Sequence, residues 1–200
     1  MRHREVEKLI VEKEWEMFQK VKGLEGRAQC QDERETFVIM RLSQFESWPP
    51  EVVESYLGDL EKAEACGRNL VMEKYAYMME ETDPEYFASI RELLPQISEK
   101  VKAMAETITE QYLRWEKEVD ILYPNVRKHG RPTAGISADG TASLKNYLRC
   151  ELMTCSEQTL RLLLAKITEE PHKNLYMKSM EKLVRAYGYE SLEAAETALS

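Results

Sequence analysis

The sequence feature that most constrains the fold is the spacing of apolar residues between Pro95 and Pro124. They recur in steps of 4, 3, 4, 4, 3, 4 and 3 residues, at Ile97, Val101, Met104, Ile108, Tyr112, Trp115, Val119 and Leu122. Because an α-helix has about 3.6 residues per turn, this spacing places all of them on one face. The pattern predicts a helix of about 26 residues, roughly 39 Å long, whose apolar face packs against other helices.

Helical spacing recurs along the rest of the chain, and no segment shows the alternating pattern of a β-strand. The dominant residue types, Glu, Lys, Leu, Ala, Met and Arg, are good helix formers. Gly and Pro divide the chain into predicted helices at about 5–21, 32–45, 50–80 (ended or weakened at Gly67), 83–94, 97–122, 142–168, 173–187 and 191–199. We predict an all-α protein: one domain over residues 1–200, an irregular bundle of seven or eight helices around the long helix near 95–122.

The longest predicted non-helical segment is a loop at about 123–140, with three Gly and two Pro residues. Loops of this length inside a compact domain are usually functional or disordered. Arg127, Lys128, His129 and Arg131 lie within five residues of one another there. Cationic side chains beside glycines suit a phosphate or carboxylate, especially where the loop leads into a helix N-terminus, here near 139–142. The loop therefore predicts an anion site, and the alternative is a solvated surface loop.

The net charge of −8 is distributed unevenly, because residues 46–120 carry a net charge of −10 and residues 121–187 carry +5. An acidic middle argues against broad nucleic-acid binding, which needs a basic face to neutralise phosphates. The acidic and basic segments either neutralise one another in the fold or leave the basic loop free to attract an anion.

A second group of candidates consists of polar residues inside apolar runs: Arg41, Glu73, Tyr77 and Glu151. If the charged members point inward they must pair, because an unpaired buried charge is very costly. Together with Tyr77 and Tyr147 they would line a ligand pocket or an acid–base site between helices. The alternatives are a structural ion-pair network and side chains that face water.

Other classes of site and location find little support in the sequence. The four cysteines form no C-x-x-C pair and predict reduced thiols, and no P-loop, dinucleotide-binding or hydrolase motif is present. Glu169-x-x-His172 has the spacing of a di-iron motif, but it has no second copy and Pro171 interrupts it. A zinc site built from the three histidines (His3, His129 and His172) has nothing to support it. We predict no metal and no cofactor, no membrane span or signal peptide, and a cytoplasmic protein.

Five stretches together are similar to one known family: residues 26–31, 37–48, 73–78, 123–132 and 147–152. On these residues the chain resembles a bacterial family catalogued as domain of unknown function 4125. The resemblance covers about 14–187 and implies a single domain from a bacterium. It implies no activity and no catalytic residues.

Two functions follow as hypotheses. The first is a small-molecule site, with enzymatic chemistry left open, between the helices and the 123–140 loop. Arg127, Lys128, His129 and Arg131 would hold an anion there, and Arg41, Glu73, Tyr77 and Glu151 would line the inner wall. The second is a non-enzymatic module for protein–protein interaction or homodimerisation through an apolar helix face.

Overall fold

The computed structural model describes residues 2–23, 26–137 and 141–200, except for the side chains of residues 2 and 3. Eleven α-helices lie in these ranges: α1 (Arg2–Gln19), α2 (Arg34–Phe45), α3 (Pro50–Ala65), α4 (Leu70–Thr82), α5 (Pro84–Ile90), α6 (Glu99–Leu122), α7 (Pro124–Arg127), α8 (Leu144–Thr154), α9 (Glu157–Glu169), α10 (Leu175–Ala186) and α11 (Leu192–Ala198). No β-strand occurs among the described residues, so the prediction of an all-α protein is confirmed.

The number of helices exceeds the predicted seven or eight because helix ends that apolar spacing does not show divide the chain further. Gly67 ends α3, with a φ of 68° that suits glycine. The predicted helix at 142–168 is two helices: the backbone of Cys155 is extended, and the Ser156 side chain then accepts a hydrogen bond from the Thr159 N–H. Ser156 thereby caps α9, and apolar spacing continues across the break without revealing it.

The long helix α6 lies against four others, α7, α8, α9 and α10. Its N-cap is Ser98, whose side chain accepts from the Val101 N–H, so the helix begins two residues later than the spacing predicts. Its buried apolar residues include Met104, Ile108, Trp115 and Val119, members of the predicted face. At the far end, by contrast, Leu122 is 57% exposed.

The predicted inner residues belong to α2, α4 and α8, and the basic candidates belong to α7 and the segment after it. Helix α1 packs against α2, α3 and α4, and α4 packs against α8. One apolar cluster runs through these helices and α6, with Ile10, Phe45, Ile108 and Leu152 fully buried. A smaller cluster joins α7, α10 and α11 around Val126 and Val184.

The segment predicted as a 123–140 loop is only partly non-helical. Its first residues form the single turn α7, which Pro124 begins, and the chain then turns at 128–130. Residues 131–137 are irregular, and Ile136 pairs with Ala142 in an isolated β-bridge. The helix N-terminus predicted near 139–142 is displaced: α8 begins at Leu144, with Ser143 as its cap. Residues 138–140 of the predicted loop lie outside the described ranges.

Candidate functional site

Four charged side chains meet in the interior between α1, α2, α4 and α8. Arg41 donates from Nε and Nη2 to the two carboxylate oxygens of Glu14, at 2.6 and 2.7 Å. Its Nη1 lies 2.7 Å from Oε1 of Glu151, and Lys74 Nζ lies 3.4 Å from the same oxygen. All four side chains are buried. We call Glu14, Arg41, Lys74 and Glu151 the buried charge cluster.

Neutral side chains complete the hydrogen bonding of the cluster. The Tyr56 hydroxyl donates to Glu14 at 2.8 Å, and Gln44 Nε2 donates to the second oxygen of Glu151 at 2.8 Å. Lys74 Nζ donates to the Tyr147 hydroxyl at 2.9 Å. Both carboxylates and both cations therefore have partners, as buried charges require.

The charges of the cluster are fixed by one another. Burial alone would raise the pKa of Glu151, but Arg41 and Lys74 lower it to about 2. Burial alone would lower the pKa of Lys74, but the Tyr147 oxygen and Glu151 raise it above its usual value. At neutral pH Glu151 is therefore an anion and Lys74 is a cation. A carboxylate with so low a pKa is a weak general base, so the arrangement suits structure better than proton transfer.

A cavity of about 130 Å³ opens beside this cluster, where Arg41 meets the segment after α7. We call it the Arg131 cavity; its lining includes Arg41, Glu33, Tyr75, Arg131 and Tyr147. The guanidinium of Arg131 lies over the Tyr147 ring, 4.5 Å from the centroid. Arg131 Nη1 also donates to the Ala142 carbonyl oxygen at 3.1 Å. The structure thus brings two of the predicted residues, Arg41 and Arg131, to one cavity, with Glu151 beneath them.

Arg131 differs from the cations around it because no carboxylate within the described ranges pairs with it. The Arg41 guanidinium, in contrast, donates to Glu14 and Gln44 and forms an ion pair with Glu151. Lys74 is held by Tyr147 and Glu151. Arg131 therefore has no ion-pair partner in the described part of the chain, although the Glu33 carboxylate lines the same cavity.

Two of the predicted inner residues, Glu73 and Tyr77, lie away from the Arg131 cavity. Glu73 accepts from Nε and Nη2 of Arg68, at 2.9 and 2.6 Å, near the start of α4. The Tyr77 hydroxyl donates to the Pro95 carbonyl oxygen at 2.7 Å. Both belong to α4 but point elsewhere, so the predicted inner wall is not formed by these two residues.

The predicted basic loop does not act as one group either. Arg127 is buried and pairs with Glu116 of α6, while the Thr133 hydroxyl donates to the same carboxylate oxygen at 2.8 Å. A Cβ at Gly130 would lie 2.9 Å from Arg127 Nη1, so this glycine leaves room for the buried guanidinium. Lys128 is exposed and donates to Asn125 at 2.9 Å.

The basic segment also contains His129 and borders another cavity. His129 is exposed. Arg127, Lys128 and Arg131 line a second, more open cavity, which they share with Asp120. The Asp120 carboxylate partly offsets their charge, as the Glu33 carboxylate does in the Arg131 cavity. Of the two cavities, the Arg131 cavity is the one that Tyr147 and Arg41 also line.

The burial of Arg127 makes a prediction about stability. Arg127→Ala is expected to lower the free energy of unfolding by about 2 kcal/mol, because it removes the ionic partner of the buried Glu116 carboxylate and leaves only the Thr133 hydroxyl. Lys128→Ala, one residue along and exposed, is expected to change it by less than about 0.5 kcal/mol. Urea unfolding of both variants measures the difference. Equal effects would contradict the assignment of Arg127 as a buried structural residue.

Sequence reasoning did not identify three residues of the site, Glu14, Lys74 and Gln44. A signal for Glu14 exists: it lies four residues after Ile10 and four before Phe18, two buried residues on the inner face of α1. Lys74 follows Glu73 directly in a run that supplies seven buried residues to α4. No local signal distinguishes Gln44 from a surface glutamine.

Within the described ranges no group of three His, Cys, Asp or Glu side chains is placed to hold a metal ion. His172 is exposed, and α9 ends at Glu169, so the Glu169-x-x-His172 spacing is not carried on one helix. The His3 side chain lies outside the described part of the chain. No helix there is both long enough and apolar enough to cross a membrane.

Comparison with known proteins identifies one family. A family model described as "Protein of unknown function (DUF4125)" matches residues 4–197 of the chain. The match confirms the resemblance drawn from the five sequence stretches and extends it from about 14–187 to residues 4–197. No curated protein and no solved structure gives a significant match.

Proposed function

We propose that this chain, which belongs to the DUF4125 family, binds a small anionic ligand in the Arg131 cavity. The observation that carries the proposal is the guanidinium of Arg131, which lies over the Tyr147 ring at the wall of a cavity and has no ion-pair partner among the described residues. A cation fixed in this way has lost part of its hydration and flexibility, so binding an anion costs less ordering than it would at a free surface lysine.

The buried charge cluster supports one side of this site by holding its side chains in fixed positions. Glu151 and Arg41 hold α8 and α2 together, and Lys74 donates to the hydroxyl of the same Tyr147 on which Arg131 lies. The Tyr147 hydroxyl therefore accepts from Lys74 and keeps its own proton to donate. Arg131 and Tyr147 together can supply hydrogen bonds to one anionic group.

We propose further that the chain is one domain organised around α6. That helix precedes residues 123–140 and contacts α7, α8, α9 and α10, so the helices after this segment pack against a helix before it. The main apolar cluster likewise includes residues of α1 and of α9, such as Ile10 and Leu163.

Thermal-shift titration with acetate, benzoate and inorganic phosphate tests the proposal. At least one anion is expected to raise the unfolding temperature, since a ligand that binds only the folded state stabilises it by about 2.7 kcal/mol at 100 times its Kd. Arg131→Ala is expected to abolish the shift.

Lys128→Ala is the matched control, because it removes a positive charge from the same segment at a residue that does not line the Arg131 cavity. It is expected to leave the shift unchanged. A shift that survives Arg131→Ala, or one lost in Lys128→Ala instead, would reject the Arg131 cavity as the anion site.

The alternative function, a homodimer or protein-interaction module, stays a prediction. Its best support is the pair Ile121 and Leu122 at the end of α6, which are 70% and 57% exposed. We favour the ligand site because Arg131, which has no ion-pair partner in the described ranges, lies at a cavity. Two exposed apolar residues, by contrast, form only a small patch.

A further inference from the structure

A larger cavity adjoins the Arg131 cavity. It has a volume of about 430 Å³ and lies between α1, α4 and the segment around α5. Phe18, Cys30 and Tyr75 line both cavities, so the two lie next to each other at these side chains. We call the larger cavity the apolar cleft. Its volume is within the range of sites that bind small molecules.

The walls of this cleft are mostly hydrocarbon. Val21, Met72, Met79, Ile90, Leu93 and Leu94 belong to them. Leu93 is 82% exposed and Met72 is 46% exposed, so part of this apolar surface faces water. A ligand with an apolar body would remove that surface from water, which is favourable in proportion to the area covered. Two methionines in the wall can adapt to different shapes.

Each of the two cavities has a cationic side chain in its lining that could pair with an anionic group. Lys22, on the exposed end of the chain segment after α1, lines only the apolar cleft. Arg131, Arg41 and Glu33 line the smaller cavity, where Arg41 is neutralised by its own carboxylates. Glu33 brings one negative charge to the same lining, but it forms no ion pair with Arg131, so a group with a single negative charge can pair with the Arg131 guanidinium there.

The geometry of other arginines in this chain indicates which anionic group fits. Arg41 and Arg68 each present the Nε and Nη2 edge to both oxygens of a carboxylate, Glu14 and Glu73 respectively. The same edge of Arg131 has no partner in the described ranges, because its hydrogen bond to Ala142 uses Nη1. A planar carboxylate can occupy that edge with two parallel hydrogen bonds.

We infer that the ligand is a monocarboxylate with an apolar body, which binds with its carboxylate on Arg131 and its hydrocarbon part in the apolar cleft. This inference rests on the proposed anion site and adds the class of ligand and its orientation. The ligand thus spans both cavities and passes Phe18, Cys30 and Tyr75 at their junction.

Calorimetric titration with acetate, hexanoate and octanoate tests the chain-length dependence. Affinity is expected to increase about fourfold for each methylene group that enters the cleft, which corresponds to about 0.8 kcal/mol. Octanol has the same hydrocarbon chain as octanoate but no charge, and octyl phosphate has that chain with a larger negative charge. Both are expected to bind more weakly than octanoate. Arg131→Ala is expected to weaken both acetate and octanoate, whereas Lys22→Ala, at a residue that lines only the apolar cleft, is expected to leave acetate binding unchanged.

A change in the cleft itself separates the two proposals. Ala28 is exposed and lines the apolar cleft but not the Arg131 cavity. Ala28→Phe is expected to reduce octanoate affinity to near that of acetate while acetate binding stays unchanged. Ala103→Phe, at an exposed position on α6 that lines neither cavity, is the matched control.

A second readout uses the unaltered protein and does not depend on any variant's folding. Cys30 and Cys66 are both exposed, but only Cys30 lines the two cavities. Octanoate is expected to slow alkylation of Cys30 by iodoacetamide at least severalfold and to leave Cys66 unaffected. Cys66 therefore serves as the internal reference.

The outcomes distinguish the two proposals. Equal affinity for acetate and octanoate, both lost in Arg131→Ala, would keep the anion site and overturn the apolar carboxylate. Octanol or octyl phosphate binding at least as tightly as octanoate would overturn the carboxylate assignment. Binding that depends on Lys22 rather than Arg131, or no binding of any carboxylate, would reject the anion site and this inference together.

Discussion

Arg41→Ala is expected to lower the free energy of unfolding by about 3–5 kcal/mol, the typical cost of breaking a buried ion pair. The substitution leaves the buried Glu14 carboxylate without its cation and removes one of the two cations that face Glu151. For a chain of this length the loss corresponds to a decrease in Tm of roughly 10 °C. Urea unfolding and calorimetry measure both quantities.

The chain contains a matched control for this experiment on the same two helices. Arg34 of α2 pairs with Glu12 of α1, as Arg41 of α2 pairs with Glu14 of α1, but the side chains of Arg34 and Glu12 are 54% and 52% exposed. Arg34→Ala is expected to cost about 1 kcal/mol or less, because water screens the pair and replaces the lost hydrogen bonds. Similar costs for the two substitutions would show that burial does not decide the contribution of Arg41.

The sequence predicts those features of the site that depend on nearby residues, and it does not predict contacts between residues that are far apart in the chain. Arg41 and Glu151 stand out because each interrupts an apolar run, and a charge in that position has to be paired or solvated. Their partners are not predictable from spacing, because Glu14, Arg41 and Glu151 come from three different helices that meet only in the folded chain. Periodicity identifies the inner face of each helix but does not show which faces meet.

In the basic segment, too, the local sequence does not predict which way each arginine points. Arg127 and Arg131 are equivalent candidates in the sequence, as arginines of one short segment that contains glycine and proline. The single turn of α7 directs Arg127 toward Glu116 of α6, whereas Arg131 lies after the turn and faces Tyr147 of α8. The difference arises from a helical turn of four residues, too short to leave a periodic pattern.

Acidification is expected to destabilise the protein through Glu151, whose pKa is lowered from 4.5 to about 2 in the folded state. A carboxyl group with a lowered pKa in the folded state binds fewer protons there than in the unfolded chain. Its contribution to stability is therefore fully present above about pH 4.5 and is lost as the pH falls toward 2. At about 1.4 kcal/mol per pKa unit, the contribution is on the order of 3 kcal/mol.

The measurement is the free energy of unfolding as a function of pH for the unaltered protein and for Glu151→Gln. The variant is less stable at neutral pH because Arg41 and Lys74 lose an anionic partner, but its curve is expected to fall less steeply between pH 4.5 and 2. Glu157→Gln is the control: its carboxylate pairs with Lys100 and Arg161 at the surface, where salt and water screen the charge, so its curve should follow the unaltered protein. Because the other carboxyl groups titrate in all three proteins, the difference in slope isolates Glu151. Parallel curves for Glu151→Gln and the unaltered protein would show that Arg41 and Lys74 do not hold this carboxyl group in its ionised form.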